Sequence, residues 1–210
     1  MGDKREMKQS KQMISLPGLA AMLLSMVLAG FGVCIFVECN IGSDTLTVLL
    51  DGVRQILHTS LGNGSRICNI TILIIALLVN RKAVGLETIL YALLIGFFID
   101  LAGAPVVSLS LGSQSLFIKL LAIGIAQLFF AFGFAIMIKV DSGIHAIDAA
   151  VNGIVEKSRF TYPFVRTMVD VIFVVGGMMM GGVAGVGTII ACLTTGLLIT
   201  SFKKLLKCAS

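Results

Sequence analysis

Charge is scarce in this chain. Charged side chains make up 13% of its 210 residues, about half the share carried by soluble globular domains. From Val171 to Phe202 there is no charged side chain at all. Apolar runs of about 18 residues or more read as membrane spans, and a soluble core has no use for one this long. Paired cysteines are missing too. Cys34, Cys39, Cys68, Cys192 and Cys208 form no CxxC pair, which removes the usual zinc and disulfide frameworks. HExxH and GxSxG are absent, so an enzyme is not expected. The glycine-rich stretch Gly182–Gly187 has neither a strand before it nor a Lys-Ser/Thr after it, and is not a phosphate loop.

What is present is apolar: 57% hydrophobic residues and a mean hydropathy of +1.03. The stretch 14–37 is longer than the roughly 7–15 residues of a signal-peptide core, and Glu38-Cys39-Asn40 follows it in place of a cleavage site. It reads as a retained first span. Further spans are expected near 65–80, 84–103, 115–138, 162–180 and 185–202. Segments 44–58 and 145–157 are helical in pattern but short and polar, each following a glycine, Gly42 or Gly143.

The basic residues set the orientation. With the amino terminus inside, Lys4, Arg5, Lys8 and Lys11, the Arg81-Lys82 turn, Lys139, Lys157, Arg159, Arg166 and the Lys203–Lys207 end all fall on the cytoplasmic face. The net charge of +5 is therefore read as topology, and nucleic acid is excluded as a partner. That distribution requires 44–58 and 145–157 not to cross.

The second half repeats the first. At an offset of 101, Gly32, Gly42 and Gly52 meet Gly133, Gly143 and Gly153; at 100, Arg66, Gly85, Thr88 and Gly96 meet Arg166, Gly185, Thr188 and Gly196. Each unit holds three spans, an odd number, so the two must face opposite ways. The expected fold is all-α: six transmembrane helices as two inverted three-span repeats, each with an extra short re-entrant or interfacial helix. One integral membrane domain, 1–210, is expected, with repeat one over about 14–103 and repeat two over about 115–203.

Polar residues on the short helices are the candidate binding groups. Asp44, Thr47 and Asp51 share one face by their spacing, as do the aligned His145, Asp148 and Asn152. Asp44 could equally be a helix cap, and both stripes could be wetted faces. Asn69 is a ligand group or packing glue. Asp170, four residues after Arg166, is placed to form an intramembrane ion pair, as glue or as part of an ion relay. No metal or cofactor is expected; Met178-Met179-Met180 reads as apolar filler.

Ile41-Gly42-Ser43-Asp44-Thr45-Leu46-Thr47-Val48, Asn69 and Gly85-Leu86-Glu87-Thr88 with Gly96 resemble the YczE/YitT-like bacterial membrane proteins, whose function is largely unknown. Thr45 and Ala146 stand where that group commonly has proline, and Glu87 where it has glycine. The resemblance implies a bacterial plasma-membrane location and names no substrate.

A small secondary transporter or permease is the leading expectation, with both termini cytoplasmic, the lipid bilayer and a small solute or ion as partners, and room for a homo-oligomer. Asp148 is its best single site candidate. A substrate-binding membrane subunit with a separate energising partner is the alternative, and a non-transporting scaffold or regulator the third. A dry, packed centre would favour the last.

Overall fold

The computed structural model describes residues 16–139 and 145–208. The basic amino-terminal segment and the turn at Gly143 lie outside them. Among the described residues the chain is wholly helical: α1 (Leu16–Cys39), α2 (Thr45–Leu57), α3 (Leu61–Asn80), α4 (Leu86–Val107), α5 (Leu116–Lys139), α6 (Ala146–Lys157), α7 (Tyr162–Met179) and α8 (Val186–Cys208). Six of these, all but α2 and α6, are long and apolar enough to cross a bilayer. The other two, of 13 and 12 residues, reach only about 20 Å at 1.5 Å per residue, against a hydrocarbon core of roughly 30 Å.

Local chemistry sets the ends. Gly42 takes φ +106°, a left-handed conformation that lets the chain turn sharply between α1 and α2. Asp44 then caps α2, accepting from the Thr47 amide. The helix stops at His58, whose left-handed backbone N–H closes on the Arg54 and Gln55 carbonyls. Ser60 caps α3, accepting from the Asn63 amide at 3.1 Å.

Three boundaries differ from the sequence expectation, and the largest difference is in the last span, expected to end at 202, which runs on to Cys208. The second span begins at Leu61 and not 65, because Gly62 and Gly64 are packing positions within the helix. The third runs to Val107 through Pro105; so near the end of a helix, the proline forfeits a single bond.

α1 forms the centre. Met22, Met26, Ala29, Val33 and Phe36 are buried, and α1 packs on both α4 and α5. Around this centre α3 packs on α4, α8 on α5, α2 on α7, and α6 on α3. The outer surface is apolar: Leu78, Phe117, Met179 and Leu197 are each at least 70% exposed. That surface suits hydrocarbon and not water, and with the six spans it makes the chain a multi-pass membrane protein.

The tightest crossing joins α3 to α4. A β-carbon on Gly62 would collide with the Gly96 carbonyl and the Asp100 carboxylate, and one on Gly96 with the Gly62 carbonyl and Arg66. Without a hydrophobic force between helices in lipid, such close backbone approach is what drives packing. Asp100 fastens it, accepting from the Gly62 amide at 2.9 Å and the Ser60 hydroxyl at 3.2 Å, with Arg66 3.7 Å away.

α7 and α8 are arranged otherwise. Along their described lengths they make almost no close approach, and a β-carbon on Gly196 would meet nothing within 4 Å. Gly96→Ala should therefore lower stability by about 1–3 kcal/mol through overpacking, while Gly196→Ala should leave it unchanged or raise it by up to about 1 kcal/mol. Thermal unfolding in detergent measures both. Equal shifts would show that the α3–α4 crossing is no tighter than α7–α8.

Candidate functional site

A cavity of about 680 Å³ lies at the centre of the bundle, lined by residues from all eight helices. Its size falls within the roughly 300–1,000 Å³ typical of small-molecule sites. The first turns of both short helices face it: Asp44 to Thr47 of α2 and His145 to Asp148 of α6.

The entry to α2 is held by the start of α8. Ser43 donates its amide to Thr188 Oγ1 at 3.2 Å, and Gly187 donates its own to the Ile41 carbonyl at 2.9 Å. The Gly185-Val186-Gly187-Thr188 motif thus anchors the loop that aims α2 at the cavity. Thr88, the counterpart of Thr188, is itself buried and lines the wall.

Asp44 is occupied as a cap, bonded by its carboxylate to both the amide and the hydroxyl of Thr47. Burial pushes its carboxyl above the usual carboxylate range, and the Thr47 bonds pull the other way. His145 is held between rings, stacked on Phe134 at a centroid distance of 4.4 Å and edge-on to Tyr91 at 4.8 Å. Burial lowers its imidazole to about 4, against the opposing pull of Asp148, so the ring is neutral at physiological pH. Its Nε2 is buried and has no hydrogen-bond partner among the described residues.

A second polar group ties the two short helices to α7. Thr45 Oγ1 donates to Asp170 Oδ1 at 2.7 Å. Arg166 spans two carboxylates, with Nε 3.2 Å from Asp170 and Nη1 3.3 Å from Asp148. The Tyr162 hydroxyl donates to Asp148 at 2.8 Å. Arg166 and Asp148 are about one-third exposed, so this cluster sits toward the mouth, above the more enclosed Asp44 and His145.

Of the residues singled out from sequence, Asp44, Thr47, Asn69, His145, Asp148, Arg166 and Asp170 line the cavity together. Asn69 is engaged with the Ser65 carbonyl at 2.9 Å and its hydroxyl at 3.1 Å. Asp51 and Asn152 are outside the lining. Asp51 lies midway along α2, 2.8 Å from Arg54 and accepting from Gln55 and the Val183 amide. The i, i+7 spacing is responsible: seven residues along a helix is about 10 Å, so a shared face does not mean a shared cavity. Cys39 and Cys68 are free buried thiols.

Sequence reasoning missed the aromatic wall of Tyr91, Phe130, Phe134 and Tyr162. One signal was available. The chain has only two tyrosines, and both line the cavity. It also missed Gln127, which bridges α5 to Thr194 and Thr195 of α8 at 3.2 and 3.1 Å.

Arg166 has two carboxylate partners and some access to water, so losing one does not strand it. Asp148→Ala and Asp170→Ala should each cost less than about 1 kcal/mol. The double replacement should cost more than the sum, because it leaves the guanidinium unpaired. Additive losses in thermal unfolding would show that the carboxylates do not share the arginine.

Comparison with known proteins gives relatives but no activity. An uncharacterised protein of Bacillus subtilis, YyaS, is 26% identical over 185 residues, covering 88% of this chain and 89% of that one. An uncharacterised protein of Haemophilus influenzae is 22% identical over 184 residues, covering 88% and 82%. No solved structure matches significantly. The expected kinship with bacterial proteins of unknown function is found in this broader form, and these matches do not carry the YczE or YitT name. Residues 16–204 match the family of unknown function DUF6198, and the chain belongs to that family.

Proposed function

We propose that the protein is a small secondary transporter of the bacterial plasma membrane, working by alternating access to its central cavity. One observation carries this. The aligned helix pairs differ, since α3 is clamped on α4 while α7 stands apart from α8. Transporters built from inverted repeats exchange such asymmetric states about a site at the membrane midplane, where broken or short helices meet.

The packing supports an inverted pair. α1 lies on α4 as α5 lies on α8, and α2 lies on α7 as α6 lies on α3. A β-carbon on Gly52 would touch Met180, and one on the aligned Gly153 would touch Asn80, the counterpart of Met180. Gln55 bonds the Gly181 carbonyl across α2 and α7, and the aligned Glu156 accepts from Asn80 across α6 and α3. In this reading α2 and α6 are re-entrant, and both termini are cytoplasmic.

The difference between the gates lies in four aligned positions. Gly62, Arg66, Gly96 and Asp100 form the closed gate; Tyr162, Arg166, Gly196 and Thr200 stand in the open one. Arg166 lacks an acidic partner on α8 and turns to Asp148 and Asp170. Gly196, a small residue with no helix against it, is free to receive α7 when that side closes. By the basic residues, the open gate faces the cytoplasm. A cavity of this volume also speaks against a packed scaffold.

Cys192 lines the cavity from α8 and is exposed. As the sole cysteine of a variant, it should react with an impermeant maleimide from the face bearing Lys82 and not from the other. Gly96→Leu, which wedges α3 from α4, should move that reactivity at least tenfold toward the opposite face. Labelling from both faces without the wedge would indicate a channel. A cavity that the wedge never redirects would point to a binding subunit served by an energising partner.

A further inference from the structure

We infer that the central cavity is built to hold an organic cation with an apolar body, such as a quaternary ammonium or phosphonium. This rests on the transporter reading and names the class of its substrate.

Charge comes first. The lining carries three carboxylates, on Asp44, Asp148 and Asp170, against the single guanidinium of Arg166, and no lysine among the described residues. The two helix N-termini that face the cavity offset part of this, each worth about half a positive charge. Each is already answered by a carboxylate of its own: Asp44 caps α2, and Asp148 lies in the first turn of α6. Arg166 is shared between Asp148 and Asp170. Counted as ionised, the carboxylates leave about one negative charge over, and among the described residues no further cation stands in the lining to meet it. Burial favours the neutral form of Asp44, and a bound cation is what would let it ionise. His145 is neutral and adds none. In a membrane interior an uncompensated carboxylate is costly, so a cationic ligand is what would stabilise it.

The walls define the rest of the ligand. Phe130, Phe134 and Tyr91 line the cavity, with Phe130 and Phe134 4.7 Å apart between centroids. Aromatic faces attract a weakly hydrated cation by about 0.5–2 kcal/mol each when water is excluded. Aliphatic and aromatic side chains make up most of the remaining lining. A bare metal ion needs a compact set of hard ligands, and among the described residues no group of three or more His, Cys, Asp or Glu is placed to hold one. A chamber of about 680 Å³ instead suits a body of drug-like size.

The test uses two ions of nearly the same shape and opposite charge. Tetraphenylphosphonium and tetraphenylborate are added separately to the full chain purified in detergent, and binding is read from the shift in unfolding temperature. Tetraphenylphosphonium should stabilise the chain and tetraphenylborate should not. Asp170→Asn and Phe134→Leu, which keep hydrogen bonding and bulk respectively, should each weaken tetraphenylphosphonium about tenfold. Equal stabilisation by both ions, stabilisation by the borate alone, or by neither, would overturn the assignment. So would phosphonium binding untouched by both substitutions. A chain that carries an anion would still show one-sided Cys192 labelling, so this inference can fail while the transporter reading stands.

Discussion

Two helices begin inside the bundle, and an amide at the start of a helix must find a partner. In water the first N–H groups of a helix are solvated at little cost; within a membrane protein each unmet group costs several kcal/mol. Most of the polar structure follows from that constraint. Asp44 and Thr47 satisfy the start of α2, and Thr188 holds the turn that leads into it. Asp148, in the first turn of α6, sits with Arg166, and Arg166 with Asp170, which accepts from Thr45 back on α2. The two starts are thus coupled through α7, and the groups that solve a backbone problem also line the cavity. A capping carboxylate and a ligand-binding carboxylate are not alternatives here, since Asp44 has the position for both.

The same constraint explains why the halves can match in plan and differ in detail. Where Gly62 lets α3 approach α4, Tyr162 stands at the aligned place on α7 with its hydroxyl on Asp148. Where Asp100 clamps one pair, Thr200 stands on the other and bonds its own helix, donating to the Gly196 carbonyl. The two helix pairs thus differ in how closely they pack without any change in the order of elements. In lipid, where small residues and a few polar bonds decide helix association, such exchanges carry large consequences.

Much of the architecture was legible because lipid imposes it. Six apolar stretches and two short polar helices could be read from hydropathy, glycine and charge. Glycine was misread at one place. Gly62 and Gly64 looked like a late start to the second span, whereas they are contacts within it, because a glycine needed for close approach and one needed for a turn look alike in sequence. The polar stripes were read one turn too long. Asp51 shares a helical face with Asp44, yet it answers Arg54 and the α7–α8 turn. Periodicity reports direction around a helix and not depth along it.

By itself the sequence determined that the chain crosses a membrane, how many spans it has, and which short segments carry its polar groups. These depend on the length and composition of single segments, which the bilayer judges one at a time. Only the tertiary structure decided which of those groups share a cavity, that aromatic rings complete its wall, and that α3 closes on α4 while α7 stands apart from α8. Those outcomes depend on distances between residues a hundred positions apart, set by side-chain volume at a few helix crossings.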